Sequence, residues 1–155
     1  MSESAPHQPI KVFTLEQANA MLPLVRAIVT DLARLSQDVV ERRERLAMMR
    51  STPRGEGSDV YRQEHEQIQT DLRNDSDRLR EYIEELQTLG VQPKNGPEGI
   101  VDFPCIMDGR VVNLCWKLGE ARIEHWHDLD SGFAGRQSLP AEWLHGRPLT
   151  PTDRD

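Results

Sequence analysis

The chain has no apolar run approaching the roughly 18 residues a membrane-spanning helix needs, no uninterrupted string of lysines and arginines, few aromatic side chains and only two cysteines. Each shortage excludes something. The opening MSESAPHQPIKVF carries no basic start ahead of an apolar stretch, so neither membrane insertion nor export is expected, and the default location is cytoplasmic. The 26 acids outnumber 19 lysines and arginines, a net charge of -7, and no basic track could follow a phosphate backbone, so nucleic acid is not an expected partner. The two cysteines are expected as free thiols. With 5% aromatic and 37% hydrophobic residues, the 155-residue chain has material for one folding unit with a small core.

What is present reads as helix first. Residues 1–11, with two prolines among small polar side chains, read as a disordered tail. Thr14 to Gln17, TLEQ, has the form of a capping box and starts a helix. From Met21 apolar residues step by four and three through Val25, Ile28, Leu32, Leu35, Val39, Leu46 and Met49, with Arg42 as the polar interruption. That is a heptad seam. Pro23 predicts a kink or a restart in the opening turns. STPRGEGSD ends the helix near Arg50 and releases a second near Asp59, whose seam runs Tyr61, His65, Ile68, Leu72, Asp75, Leu79, Tyr82, Leu86 and Leu89. The two should fold back as a long antiparallel coiled-coil helical hairpin over 12–90. Arg42, His65 and Asp75 are polar seam residues of the kind that set register.

After GVQPKNGPEG the period changes to two. Asp108-Gly109 predicts a type I′ hairpin turn, which opposes Cys105 to Val112, Phe103 to Leu114 and Asp102 to Cys115. Val101, Phe103, Cys105, Val112, Leu114 and Trp116 then share the core face, and the two cysteines point to opposite faces. A second turn at Gly119-Glu120 makes Arg122 to Asp128 a third strand with Ile123, His125 and His127 on one face. The expectation is an α+β fold, the hairpin arm followed by a small three-stranded antiparallel sheet and a glycine-rich loop over 91–139. Residues 140–155 read as a C-terminal tail.

Chemistry concentrates in IEHWHDLDSGFAGRQSL. Histidines at i and i+2 of a strand project the same way about 6.5 to 7 Å apart, a usable spacing for two ligands of one metal. His127, His125 and Asp128 are the candidate ligands for zinc or iron; Glu124, Asp130 and Cys115 are near enough to complete a set. The bland alternative makes His125 a half-exposed strand residue and His127 a hydrogen-bonded core residue. Asp130, Gly132, Gly135 and Arg136 form a candidate anion site, since glycines permit positive φ and Arg136 offers a fork. Its alternative is a chain reversal with Phe133 in the core and Arg136 paired to Asp128 or Asp130. Asp102 facing Cys115 could activate or bind something, but a carboxylate raises a thiol's pKa rather than lowering it, and the alternative is a satisfied turn-side pair.

FTLEQANAMLP, GIVDFPCIMDGRVVNLCWKLGE and WHDLDSGFAGRQSL together resemble the uncharacterised bacterial domain-of-unknown-function family 2203, over about Val12 to Leu139. The resemblance implies this architecture and motif positions at Trp116, Trp126, His127, Asp130, Gly132, Gly135, Arg136 and Gln137, with no established activity. The resemblance leaves His125 outside that set, since members of the family often carry an aromatic residue there. Two expectations stay open. One is a non-enzymatic interaction module presenting the hairpin arm to a protein partner or to a second copy. The other is a metal-binding protein, extending to a metal-assisted hydrolase, around HWHD.

Overall fold

The structure, a computed structural model, describes residues 11–51 and 58–144. The expected N-terminal tail, except Lys11, lies outside the described residues, as does the chain from 145. Helix α1 (Leu15–Ser51) opens on a reciprocal cap. The Gln17 N–H donates to Thr14 Oγ1 at 3.0 Å and the Thr14 N–H to Gln17 Oε1 at 2.9 Å, satisfying donors that a helix start leaves orphaned. α1 continues through Pro23 as one helix where the sequence predicts a kink or restart. Burial of Leu22 and Val25 on either side, each worth about 1.5–3 kcal/mol, offsets the lost backbone bond.

Helix α2 (Asp59–Thr88) is capped by Ser58, whose hydroxyl accepts the Tyr61 N–H at 3.0 Å. Its end is equally definite. Gly90 takes φ +89°, its N–H reaches Gln87 O, and the Val91 N–H reaches Leu86 O at 2.9 Å, with Val91 and Leu86 both fully buried. This six-to-one closure needs a left-handed residue and an apolar contact across it. Val25, Leu32, Val39 and Leu46, seven apart, are buried along α1, and Ile68 and Leu86 answer from α2. The polar seam residues Arg42 and Asp75 pair with one another, and Tyr61 Oη donates to Met49 O at 3.0 Å, so the helices run antiparallel. The main core takes α1 only as far as Leu32 and α2 only from Leu79; Val39, Leu46 and Ile68 are buried outside it.

A five-stranded antiparallel meander follows: β1 (Gln92–Asn95), β2 (Ile100–Met107), β3 (Arg110–Lys117), β4 (His125–His127) and β5 (Gln137–Ser138), paired in chain order. The sequence predicts three strands. β1 and β5, four and two residues long, are too short to show a period. The β2–β3 register is the predicted one, with Asp102 opposite Cys115, and the turn has φ 51° at Asp108 and 81° at Gly109, as a type I′ turn requires. Val101, Phe103, Cys105, Val112, Leu114 and Trp116 face the helices, and Phe13 meets Phe103 edge-on at 5.4 Å.

The third strand is shorter than expected. The Ile123 N–H donates to Asn19 Oδ1 of α1 at 2.9 Å instead of to a neighbouring strand, and Ile123 enters the helix-side core, fully buried. Ile123 therefore does not share a face with His125 and His127. Beyond Leu139 the chain makes one helical turn, α3 (Ala141–Leu144), whose Trp143 and Leu144 pack against the core, past the boundary drawn from sequence. Among the described residues, no helix is long and apolar enough to cross a membrane.

Candidate metal centre

The face of the sheet turned away from the helices is buried in its middle. Alternation puts Asp102 on β2, Cys115 on β3 and His125 on β4 in one cross-strand row, with Asn113 opposite His127 in the next. Asp102, Cys115 and His127 are 1%, 0% and 2% exposed, and their ligating atoms all lie within 4.8 Å of one another.

Hydrogen bonding fixes the histidine's roles. A carbonyl only accepts, so His127 Nδ1, 2.7 Å from Asp128 O, carries a hydrogen. Nε2 is left facing Asp102 Oδ1 at 3.0 Å. Burial raises the Asp102 carboxyl above its ordinary range, against the opposing pull of His127 and of Lys94. Burial, and then the Asp102 charge, push the Cys115 thiol up to about 12, while the Arg136 guanidinium works the other way. Near neutral pH this thiol is no nucleophile.

The donor set suits a metal better. Imidazole, thiolate and carboxylate together match zinc, and two negative ligands with one neutral ligand cancel a divalent charge, which lowers the cost of burying it. The Asp128 carbonyl on Nδ1 is the outer partner that fixes a ligating histidine's ring. Beside the cluster lies a cavity of about 240 Å³ bounded by Lys94, Ile100, Asp102, Asn113, His127 and the 129–133 segment. Asn113, 4% exposed, is among its lining residues, and its Oδ1 is buried without a hydrogen-bond partner.

The other sequence candidates are distributed around this centre. His125 stands opposite Cys115 but outside the three; its Nδ1 lies 3.9 Å from Glu120 Oε2. Asp128 pairs with Arg110 and contributes only its carbonyl. Asp130 and Gly132 line the cavity. The Gly135 and Arg136 N–H groups are used within a 3₁₀ turn, on Gly132 O and Phe133 O. Arg136 grips Glu120 with both arms of its fork, at 2.7 and 3.1 Å, and covers the Phe133 ring at 4.3 Å. Phe133 is half-buried over the cavity rather than in the core.

Burial works to raise the Glu120 carboxyl, but Arg136, the Lys117 N–H and His125 outweigh it and hold it low. Trp116 is in the core with its indole N–H on Glu120 O at 2.9 Å; Trp126 packs on the same core beneath Arg110, and Gln137 is exposed on β5. Asn113 is the site residue that sequence reasoning leaves out, and Asp102 enters it only as the cross-strand partner of Cys115. For Asp102 the signal exists, since the predicted register already sets it against Cys115.

The sequence matches a family described as "Uncharacterized conserved protein (DUF2203)" over residues 11–139. No curated protein and no solved structure matches.

Proposed function

The chain belongs to the DUF2203 family, and we propose that it binds a divalent metal, zinc before iron, through Asp102, Cys115 and His127. The mutual approach of the three ligating atoms, within 4.8 Å, carries the reading. Bound there, the metal would polarise a substrate oxygen or acidify a water, which suits hydrolysis. The chain's own residues do the rest: His127 is held in one tautomer by Asp128 O, and Arg136 and Glu120 fix the wall beside Cys115. Elemental analysis of protein purified without a histidine tag tests this. About one metal per chain, lost in both His127→Ala and Cys115→Ser, is the expected result; a low content that neither substitution changes refutes it.

A second reading concerns the arm. Val40, Met48 and Val60 are 42%, 68% and 73% exposed on the part of the hairpin outside the main core, which favours a protein partner or a second copy docking there. Sedimentation of the purified protein, alone and with lysate, decides it; a strict monomer that captures no specific partner counts against the arm as an interface.

A further inference from the structure

Cys115 is fully buried, and Asp102 faces it across the strands as a negative neighbour. A thiolate that ligates a metal there has no water to solvate it and a carboxylate beside it, so its charge needs a donor from the protein. Arg136 is that donor. Its side chain hydrogen-bonds Cys115, and of the two charged groups acting on the sulfur it is the one that favours a thiolate. The guanidinium is held to this contact from several sides. Its two terminal nitrogens donate to Glu120 at 3.1 and 2.7 Å, and Glu120 Oε1 also accepts the Lys117 N–H at 2.9 Å, so the clamp is tied to the β3 backbone two residues beyond Cys115. The Phe133 ring lies 4.3 Å from the guanidinium, and the Arg136 N–H closes a turn on Phe133 O at 3.1 Å. His125 Nδ1, 3.9 Å from Glu120 Oε2, is too distant to take the carboxylate away.

A guanidinium carries five N–H donors in a rigid fork, so one that grips a carboxylate with two still has donors for a sulfur. Glu120 already answers the Arg136 charge, and what reaches Cys115 is therefore an aimed N–H more than net charge. We propose that Arg136, aimed by Glu120, is a positioning residue of the Asp102, Cys115 and His127 centre, donating one N–H to the Cys115 sulfur while that sulfur ligates the metal. The inference rests on the metal-binding reading and deepens it. The loop from Asp128 to Arg136 then completes the surroundings of a ligand as well as covering the sheet, and the engaged sulfur serves as a fixed ligand and not as a nucleophile.

The absorption spectrum of the full chain at saturating cobalt tests it. An N–H donated to sulfur lowers the energy of the sulfur electrons, which holds the sulfur-to-cobalt charge-transfer band at shorter wavelength. Arg136→Gln and Arg136→Lys are both expected to move that band to longer wavelength, the lysine because it keeps the charge but cannot hold Glu120 and the sulfur together. Each should also weaken cobalt binding by roughly 10–100-fold. Gly109→Ala, at the far turn of the β2–β3 hairpin, is the control, since a loss of stability alone leaves the band in place. Should the Arg136 variants fail to fold, Glu120→Gln, which keeps Arg136 but loosens its aim, is expected to move the band in the same direction. A band that stays put in either Arg136 variant, or in Glu120→Gln where that variant stands in for them, overturns the inference and leaves the metal centre standing. A wild-type protein that shows no sulfur band overturns both.

Discussion

His127 Nε2 lies 3.0 Å from Asp102 Oδ1, with both side chains 2% exposed and a whole strand, β3, between the strands that carry them. Taking both groups out of water costs most of what their attraction returns, yet removing one partner strands the other. In chelator-treated protein, His127→Ala should destabilise the fold by about 3 kcal/mol, while His127→Leu combined with Asp102→Leu should recover much of that loss. Urea unfolding measures both. If the double variant shows the simple sum of the two single losses, the residues are not coupled.

The Cys115 thiol sets a pH dependence whose sign follows from its raised pKa. The folded protein keeps this proton after the unfolded chain has released it, so the stability it contributes is complete below the ordinary value of 9.0 and drains away as pH rises towards about 12. Wild-type apoprotein should lose urea resistance across that window faster than Cys115→Ala does. Parallel curves would mean that the thiol ionises in the folded protein as it does in a peptide.

Arg136 holds Glu120 bidentately and lies over Phe133, and both ends of the pair are largely shielded, at 19% and 24% exposed. Arg136→Lys keeps the charge but loses the fork and the flat contact, and should cost roughly 1–2 kcal/mol. The loss should persist in high salt, since a shielded, geometrically fixed pair is screened less than a surface one. An unchanged melting temperature would make the loop from Asp128 to Arg136 a surface feature only.

Two glycines with positive φ separate backbone strain from crowding. A Cβ on Gly109 meets nothing within 4 Å, whereas one on Gly99 comes 2.7 Å from Leu118 Cβ and 3.1 Å from Val29 Cγ1. Gly109→Ala should cost about 1 kcal/mol from its φ alone, and Gly99→Ala clearly more, since Leu118 first and then Val29 of helix α1 must give way to admit it. Equal losses in thermal melts would mean that Leu118 and Val29 give way easily around Gly99.

The helices and the central hairpin were legible because their signals are local. The capping box, the seven-residue spacing and Asp108-Gly109 each act within a few residues, and together they predict the register that sets Asp102 against Cys115. The placement of β4 was not legible, because it depends on Asn19 taking the Ile123 N–H across 104 residues of chain. With that bond in place Ile123 lies in the core and His127 lies beside Asp102. Asp128 shows the opposite lesson: a residue next to a strand histidine alternates to the other face, so proximity in sequence argues against it as a co-ligand. The partner of Arg136 was hidden for the same reason as β4, since Glu120 reaches it only through the fold.

Cobalt substitution tests the three-residue centre most directly, because cobalt bound by a thiolate gains a sulfur-to-metal charge-transfer absorption that oxygen and nitrogen ligands do not supply. Chelator-treated protein titrated with cobalt should develop that band at about one equivalent, more readily as pH rises because the metal must displace the Cys115 proton. Cys115→Ser should abolish the band, and His127→Ala should weaken cobalt binding by roughly 10–100-fold or more. Cobalt that binds without the band, or a band that survives Cys115→Ser, would contradict a metal centre at Asp102, Cys115 and His127.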